Sequence, residues 1–181
     1  KDHPTKISFL QGHGELGSEP LQEFLKAFSE QNFMLDKVEL DKDKLLNNNI
    51  DILLIAKPQT TLNDYEKFLI DQYVMSGGKT MWLLDNIICD LDSFKLAPSI
   101  VAVPRELNLD DLLFRYGVRT EHNLALDLYC NQIPIIESVG GNPQPKLFPW
   151  VFYPVAINKN NHPIVKNLDP VAFKFASSLD T

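Results

Sequence analysis

Cysteine is scarce in this sequence, with Cys89 and Cys130 the two such residues among 181. Two cysteines are too few for a disulfide framework, and they show no CxxC or zinc-ligand spacing. A chain of this length buries roughly 70% of the surface that its unfolded form exposes, so it needs no such crosslinks. We therefore expect a fold held by a hydrophobic core, and the spacing leaves open whether Cys89 and Cys130 pair.

Clusters of basic residues are also missing. The chain has 17 Lys and Arg against 24 Asp and Glu, which gives a formal net charge of -7 at pH 7. Surfaces that bind nucleic acid non-specifically are basic, so this class of function is excluded. No stretch reaches the ~18 consecutive apolar residues of a membrane-spanning helix, and no signal peptide opens the sequence.

None of the common catalytic motifs is found. There is no GxGxxG motif, no P-loop, and no GxSxG or cysteine-containing elbow after a predicted strand. The four histidines include no HxH or HxxxH pair of metal ligands. We therefore predict a protein that binds rather than catalyses, with no cofactor and no metal. The alternative class is a hydrolase or amidotransferase, whose activity would depend on Cys89 or His13.

The stretch from Asp51 to Asp85 has the pattern of a strand, a helix and a second strand. Ile52–Ala56 is a continuous apolar run bounded by Pro58, as expected of a strand covered on both faces. Lys79–Leu84 is the second apolar strand. Two strands joined by a helix within so short a stretch form a βαβ unit, in which the strands are parallel. The sequence therefore predicts an α/β fold.

The helix of this unit has recognisable ends. Thr61, with Asp64 three residues later, is the predicted N-cap. Gly77 and Gly78 are the predicted end, because glycine adopts the left-handed conformation that follows many helices. The side chains expected to face the sheet recur at helical spacing or lie beside that stripe, namely Leu62, Tyr65, Phe68, Leu69 and Tyr73.

Two more strands and a helix precede the βαβ unit. Strands are predicted at Lys6–Gln11 and Phe33–Leu40, with a helix from Leu21 to about Gln31 between them, starting near Ser18–Pro20. A helical turn or loop is expected over Asp41–Asn49. With the second strand outside the first, the strand order is 2-1-3-4. We therefore expect an open, mainly parallel, Rossmann-like sheet of the glutamine-amidotransferase kind in the first half.

The second half has a less regular, α+β pattern. A helix is predicted over Leu107–Tyr116 and ended by Gly117, while Pro149 and Pro154 place an aromatic strand at a sheet edge or a bulge. The other predictions are a connection over 86–104, strands at 124–129 and 133–139 around a turn at 130–132, a loop at 140–145, the aromatic strand at 148–157 and a return to the sheet over 172–175. We predict one domain over residues 1–181, with a βαβ core at 1–85 and an irregular extension at 86–181 packed on the same sheet.

One group of residues is a candidate binding site. Ligands in open α/β sheets bind at the carboxyl ends of the strands, where the strand order reverses. A loop with two glycines follows the first strand, and a lysine and an aspartate follow strands 3 and 4. The predicted ligand-binding residues are Gly12, His13, Gly14, Glu15, Lys57 and Asp85. The alternatives are a tight turn in which His13 and Glu15 bond locally, and a contact surface on the aromatic residues around Trp150.

Several segments together resemble a known family. They are GHGE at 12–15, DILLIAKP at 51–58, LIDQYVMSGGKTMWLLD at 69–85, LLFRYGV at 112–118, LDLYCNQIPI at 126–135, LFPWVFYP at 147–154 and NHPIVKNLDPV at 161–171. In sum they resemble the GldG-type proteins, the gliding-motility-associated auxiliary or "substrate-binding" components of an ABC transporter in Bacteroidetes.

The resemblance implies a non-catalytic domain on the periplasmic side of the inner membrane, excised from a longer chain whose other segments anchor it. It implies ABC permease and ATPase subunits as partners, and a solute or a partner subunit as the bound species. A structural coupling module without a small-molecule ligand is the alternative. The resemblance transfers no catalytic residue to any position of this sequence.

Overall fold

The contacts within the chain divide it into two compact units. The first comprises residues 1–86, 105–120 and 181, and the second comprises residues 87–104 and 121–180. The computed structural model describes residues 4–17, 19, 21–41, 49–89, 91, 101–139, 142–157, 163 and 165–181. That residues 1–181 form a single domain stays a prediction.

The described residues contain three helices and eleven strands. The helices are α1 (Gln22–Glu30), α2 (Asp64–Met75) and α3 (Asp110–Arg115). The strands are β1 (Lys6–Gln11), β2 (Met34–Glu39), β3 (Ile52–Ala56), β4 (Lys79–Leu83), β5 (Ile87–Ile88), β6 (Val103–Pro104), β7 (Arg119–Thr120), β8 (Cys130–Val139), β9 (Asn142–Ala156), β10 (Val171–Ala172) and β11 (Leu179–Asp180).

The first unit is built on a parallel sheet with the strand order β2-β1-β3-β4. Each neighbouring pair is parallel, and Ile7 lies opposite both Leu35 and Ile52. The predicted order, and the bounds of β1 and β3, are confirmed. These bounds were predictable because each apolar run stops before Gly12 or Pro58, residue types that interrupt strands.

Hydrophobic side chains cover both faces of the parallel sheet. On one face the strands pack against α2 and α3 through a cluster that includes Leu10, Leu53, Ile55, Leu69 and Leu112. On the other face they pack against α1 through residues that include Ile7, Phe9, Leu54 and Phe28. Burial on both faces explains why β1 and β3 read as continuous apolar runs instead of alternating ones.

The start of α2 differs from the prediction. Its N-cap is Asn63, whose side chain accepts a bond from the Glu66 N–H (2.9 Å), and Glu66 Oε2 accepts one from the Asn63 N–H (2.7 Å). Thr61 donates its hydroxyl to the carbonyl of Glu106 at 2.6 Å and does not cap the helix. Asn is a better N-cap than Thr, and the glutamate at the third helical position completes the capping box.

The buried face of α2 is also shifted from the prediction. Tyr65 and Phe68 are 57% and 51% exposed, so they do not face the sheet. The helix instead buries Leu69, Ile70 and Tyr73, with Leu62 buried just before it. These positions are i, i+7, i+8 and i+11 of one helical stripe. The predicted end of the helix is confirmed, because Gly77 follows it with a φ of 90°.

Residues from the second half of the sequence complete the first unit. Helix α3 confirms the predicted helix over a shorter span, and Gly117 follows it with a φ of 83°. Its buried residues Leu112 and Leu113 join the core on the α2 side of the sheet, as do Leu107 and Leu109 before it. The core of this unit therefore extends past residue 85, where the sequence placed its boundary.

The second unit contains an antiparallel sheet with the order β10-β9-β8. Strands β8 and β9 form a long hairpin in which Val139 lies opposite Asn142, and β10 pairs with the end of β9. The prediction that the chain returns to the parallel sheet over 172–175 is wrong, because β10 pairs with β9 in this antiparallel sheet. Between Pro149 and Pro154 the register of β9 shifts, which confirms the bulge that these prolines predicted.

Other predictions in the second unit are wrong. Residues 124–129 form no strand. Asp127 instead accepts a bond from the Tyr129 N–H at 2.8 Å, a local turn, and Leu128 is 93% exposed. The predicted turn at 130–132 is the start of β8, and the predicted loop at 140–145 belongs to β9 from residue 142 onward. The apolar side chains of Leu126 and Leu128 therefore lie on an exposed surface.

Some predicted segments lie wholly or partly outside the described residues. They are the helix start at 18–20, the turn at 41–49, the connection at 86–104 and the glycines at 140–141. At the ends of the long connection, β5 and β6 pair in antiparallel orientation. No helix among the described residues is long and apolar enough to cross a membrane.

Candidate functional site

Backbone bonds fix the loop after β1 against the chain that follows β3. Gly12 and Gly14 have φ angles of 121° and 72°, which glycine adopts without strain. The carbonyl of His13 accepts bonds from the N–H groups of Gln59 (2.7 Å) and Thr60 (3.1 Å). A Cβ added at Gly14 would lie 3.1 Å from the Cβ of Gln59, so the two segments are in close contact.

The side chains of His13 and Glu15 turn into the protein, where they are 8% and 2% exposed. Glu15 Oε2 accepts a bond from the His13 N–H at 2.8 Å. Glu15 Oε1 and His13 Nδ1 lie 3.3 Å apart, at ion-pair distance, although their orientation is not that of a hydrogen bond. The loop is therefore a tight turn with local bonds, the arrangement we considered as the alternative to open ligand-binding side chains.

Glu66, which was not among the predicted site residues, completes the surroundings of His13. Its Oε2 lies 3.2 Å from His13 Nε2 and also accepts the capping bond from Asn63. Both ring nitrogens of His13 therefore face carboxylates. His13 is thus placed to hold the loop against α2, and neither nitrogen is directed at a nucleophile.

Lys57 and Asp85 form an ion pair at the ends of β3 and β4. Lys57 Nζ lies 2.5 Å from Asp85 Oδ2, and the side chains are 38% and 39% exposed. The Lys57 N–H donates to the carbonyl of Leu83 at 2.8 Å, yet Lys57 has a φ of 53°. A left-handed backbone is uncommon outside glycine, and such residues concentrate at functional sites. This pair is the accessible, charged part of the predicted site.

All six predicted residues thus lie at one edge of the sheet. Residues 12–15 form a loop, Lys57 and Asp85 form an ion pair, and Gln59 lies between the two groups. The Gln59 side-chain amide donates to the Lys57 carbonyl at 2.8 Å, while its N–H donates to His13. Arg105 also reaches this edge and donates to the carbonyl of Gln59 at 3.4 Å. The N-x-x-E pattern at 63–66 was a signal for Glu66, whereas Arg105 follows a segment without periodicity. That a ligand binds here stays a prediction.

The described residues include no group of three His, Cys, Asp or Glu side chains arranged to hold a metal ion. Cys89 and Cys130 are not joined by a disulfide. The aromatic residues considered as a competing surface pack on one another, with ring centroids 5.6 Å apart for Trp150 and Phe152.

A cavity of about 560 Å³ lies at the opposite, amino edge of the parallel sheet. Its volume is within the range of ligand pockets. It is lined by residues at the starts of the strands and at the end of α2, including Thr5, Phe33, Asp51, Tyr73, Ser76 and Lys79. Burial raises the pKa of the Tyr73 phenol, whose hydroxyl donates to the carbonyl of Ile50 at 3.1 Å.

Comparison with solved structures supports the fold. A structure titled "mmIFT52 N-terminal domain" is similar with a TM-score of 0.57 and 17% sequence identity, over 96% of this chain and 67% of that one. At this identity the likeness concerns the fold alone. No curated protein matches the sequence. A family model described as "ABC-type uncharacterized transport system" matches residues 4–181.

Proposed function

Because the chain belongs to the family described as ABC-type uncharacterized transport system, we propose that it is a non-catalytic subunit that docks a partner through the carboxyl edge of its parallel sheet. The family provides auxiliary components of ABC-type transport systems. The proposed partners are the permease and ATPase of such a system. The proposed location is the periplasmic side of the inner membrane, in a GldG-type, membrane-anchored protein with a Rossmann-like domain.

The observation that carries this proposal is the inward orientation of His13 and Glu15. With these side chains buried, the edge presents the exposed Gly12 and Gly14 and the half-exposed pair of Lys57 and Asp85. A fixed backbone and one ion pair form a polar surface suited to another protein. The non-catalytic role is supported by the position of His13. A general base must be within reach of the proton that it removes, and both ring nitrogens of His13 lie beside carboxylates instead.

Co-purification tests the docking proposal. We expect the wild-type chain, co-expressed with the permease and ATPase of its transport system, to capture both subunits. Lys57→Glu should reduce capture at least about tenfold, since a reversed charge at a complementary surface disfavours the partner. The matched control is Lys26→Glu on α1, because Lys26 is 78% exposed and also belongs to an ion pair, with Glu30.

The double variant Lys57→Glu/Asp85→Lys separates recognition from stability. It keeps an ion pair within the chain but reverses the charges that a partner meets. Capture equal to that of the wild type would show that the partner binds another surface. Hydrolysis of an ester, amide or glycoside that is lost in His13→Ala would contradict the non-catalytic role.

The cavity at the amino edge favours a second candidate function, which is binding of a small solute. A ligand at 100 times its Kd adds about 2.7 kcal/mol to the stability of the folded state. Thermal unfolding against sugars, peptides and nucleotides tests this function. A shift that disappears in Ser76→Tyr, which adds a ring at the cavity lining, and persists in Lys57→Glu would place the ligand at the amino edge.

A further inference from the structure

Two hydroxyl groups at the cavity on the amino edge of the parallel sheet have their protons committed elsewhere. The Tyr73 hydroxyl lies 3.1 Å from the carbonyl of Ile50 and 3.4 Å from that of Lys79, and towards a carbonyl it must be the donor. The Ser76 hydroxyl donates to the carbonyl of Gln72 at 2.7 Å. Because a hydroxyl group has one proton, both of these lining residues keep only acceptor capacity for a ligand.

Asp51 adds a negative charge to the same cavity. Its carboxylate accepts a bond from the Lys6 N–H at 2.9 Å, which ties it to the starts of β1 and β3. Burial raises the pKa of the Tyr73 phenol, and the charge of Asp51 raises it further, which reflects the proximity of the two groups. Asp51 and Tyr73 both line the cavity, so a carboxylate and a phenol oxygen are available together as acceptors.

The C-terminal end of α2 adds negative potential to this part of the cavity. Ser76, Gly77 and Gly78 follow the helix and line the cavity. The aligned peptide dipoles of a helix place partial negative charge at its C-terminus, and the last four residues of α2, Gln72–Met75, are uncharged. A ligand group that is positively charged and rich in donors is therefore favoured here, and an ammonium group has both properties.

Lys79 supplies the opposite charge at this cavity. It begins β4 and lies opposite Ile52, the residue that follows Asp51. Neighbouring strands are about 4.8 Å apart, so one small molecule can reach both charged residues. Lys79 repels an ammonium group that arrives alone, but it attracts a carboxylate. Asp51 and Lys79 are the charged residues in the described lining, and their charges cancel. The complementary ligand therefore carries one ammonium group and one carboxylate.

We propose that this cavity binds a free amino acid, with the ammonium group of the ligand toward Asp51 and its carboxylate toward Lys79. The inference rests on the second candidate function, solute binding at the amino edge, and it names the class of solute. An amino acid carries both charges at about pH 7. The cavity of about 560 Å³ also has room for the side chain of the ligand. Docking of transporter subunits at the carboxyl edge does not depend on it.

Thermal unfolding of the chain with each standard amino acid at about 10 mM tests the ligand class. We expect at least one amino acid to raise the unfolding midpoint. Its matched probes are the amine that lacks the carboxylate and the N-acetyl derivative that lacks the ammonium group. In calorimetric titration both probes should bind at least about tenfold more weakly than the amino acid, because each has lost one of the two charge contacts.

Two substitutions test the residues. Asp51→Asn keeps an acceptor for the Lys6 N–H but removes the charge, and it should raise the Kd of the amino acid at least about tenfold. Lys79→Met should weaken binding of the amino acid but not of its amine analogue. Asp85→Asn is the matched control, since it makes the same change at the opposite edge of the sheet, and it should bind the amino acid as the wild type does.

The outcomes separate the ligand class from the site. A shift with a sugar or nucleotide that is lost in Ser76→Tyr, with no shift for any amino acid, would overturn the amino acid class and leave solute binding at the amino edge in place. Absence of a shift with every probe would contradict both. Equal affinity for the amino acid and either analogue would overturn the roles given to the two charges, and equal weakening by Asp51→Asn and Asp85→Asn would overturn the site.

Discussion

His13 Nε2 lies 3.2 Å from Glu66 Oε2, and the same oxygen accepts the capping bond from the Asn63 N–H. One carboxylate therefore joins the loop after β1 to the first turn of α2. On the other side of the ring, Glu15 Oε1 lies 3.3 Å from His13 Nδ1. The position of the candidate docking edge thus depends on residues that no partner needs to touch.

Substitution of Glu66 by Ala should lower the free energy of unfolding by about 1–2 kcal/mol, because it removes half of the capping box and a contact of buried His13. Urea unfolding measures this change. Glu23→Ala is the control, since Glu23 is an exposed residue in the first turn of α1 and should change stability by less than about 0.5 kcal/mol. Equal effects of the two substitutions would contradict a linking role for Glu66.

Gly78 is required for the position of the Tyr73 ring. A Cβ added at Gly78 would lie 2.4 Å from Tyr73 Cζ, closer than any real contact of such atoms. Gly78→Ala should therefore destabilise the fold by about 1–3 kcal/mol through overpacking. In a Tyr73→Leu background, which removes the ring, the same substitution should cost much less. A double-mutant cycle by urea unfolding measures this coupling, and additive effects would rule out the steric explanation.

The sequence predicted the parallel sheet well because its signals are local. β1 and β3 are apolar runs that end at residues unsuited to strands, and the strand order follows from short parallel connections. The buried face of α2 was harder to predict, since Tyr65 and Phe68 have the spacing of core residues but are half exposed. The core residues that pack against the buried face of α2 come from distant segments of the sequence. Helix α3 is one of these segments.

The candidate site shows the same division between local and distant information. Glycines at 12 and 14 predicted a loop at the carboxyl edge, and the loop is there. The loop buries His13 beside Glu66, a residue far away in the sequence. A strand was predicted at 124–129, but Leu126 and Leu128 are exposed there, because apolar residue types lead to burial only where a second layer covers them.

At position 57, glycine should give a more stable protein than alanine, which is the reverse of what an ordinary strand position shows. Its φ of 53° strains any residue with a Cβ, whereas its ion pair with Asp85 is half exposed and adds little. We expect Lys57→Gly to be more stable than Lys57→Ala by about 1 kcal/mol in urea unfolding. At the exposed β2 residue Lys37, Ala should be more stable than Gly, and the same preference at both sites would contradict the strain at Lys57.

The ion pair between Lys67 and Asp111 should make the free energy of unfolding depend on pH. Asp111→Asn should remove this part of the dependence. The bond from Lys67 lowers the pKa of Asp111 from its ordinary 3.8, and the bond to Asp111 raises the pKa of Lys67 from 10.5. The contribution of Asp111 is therefore present above about pH 4 and is lost as the pH falls through its folded-state pKa. That of Lys67 is present below about pH 10 and is lost as the pH rises through its folded-state pKa.

Asp111→Asn should therefore reduce stability at pH 7, and this difference should shrink as the pH falls to about 2.5, because Asp111 loses its charge as the pH falls through its folded-state pKa. The difference at pH 7 should be below about 1 kcal/mol, because the Asp111 side chain is 53% exposed and solvent screens the pair. Urea unfolding across this range measures it. In a Lys67→Met background the same substitution should have no pH-dependent effect through this pair. A difference between wild type and Asp111→Asn that is constant from pH 7 to pH 2.5 would exclude the ion pair as its cause.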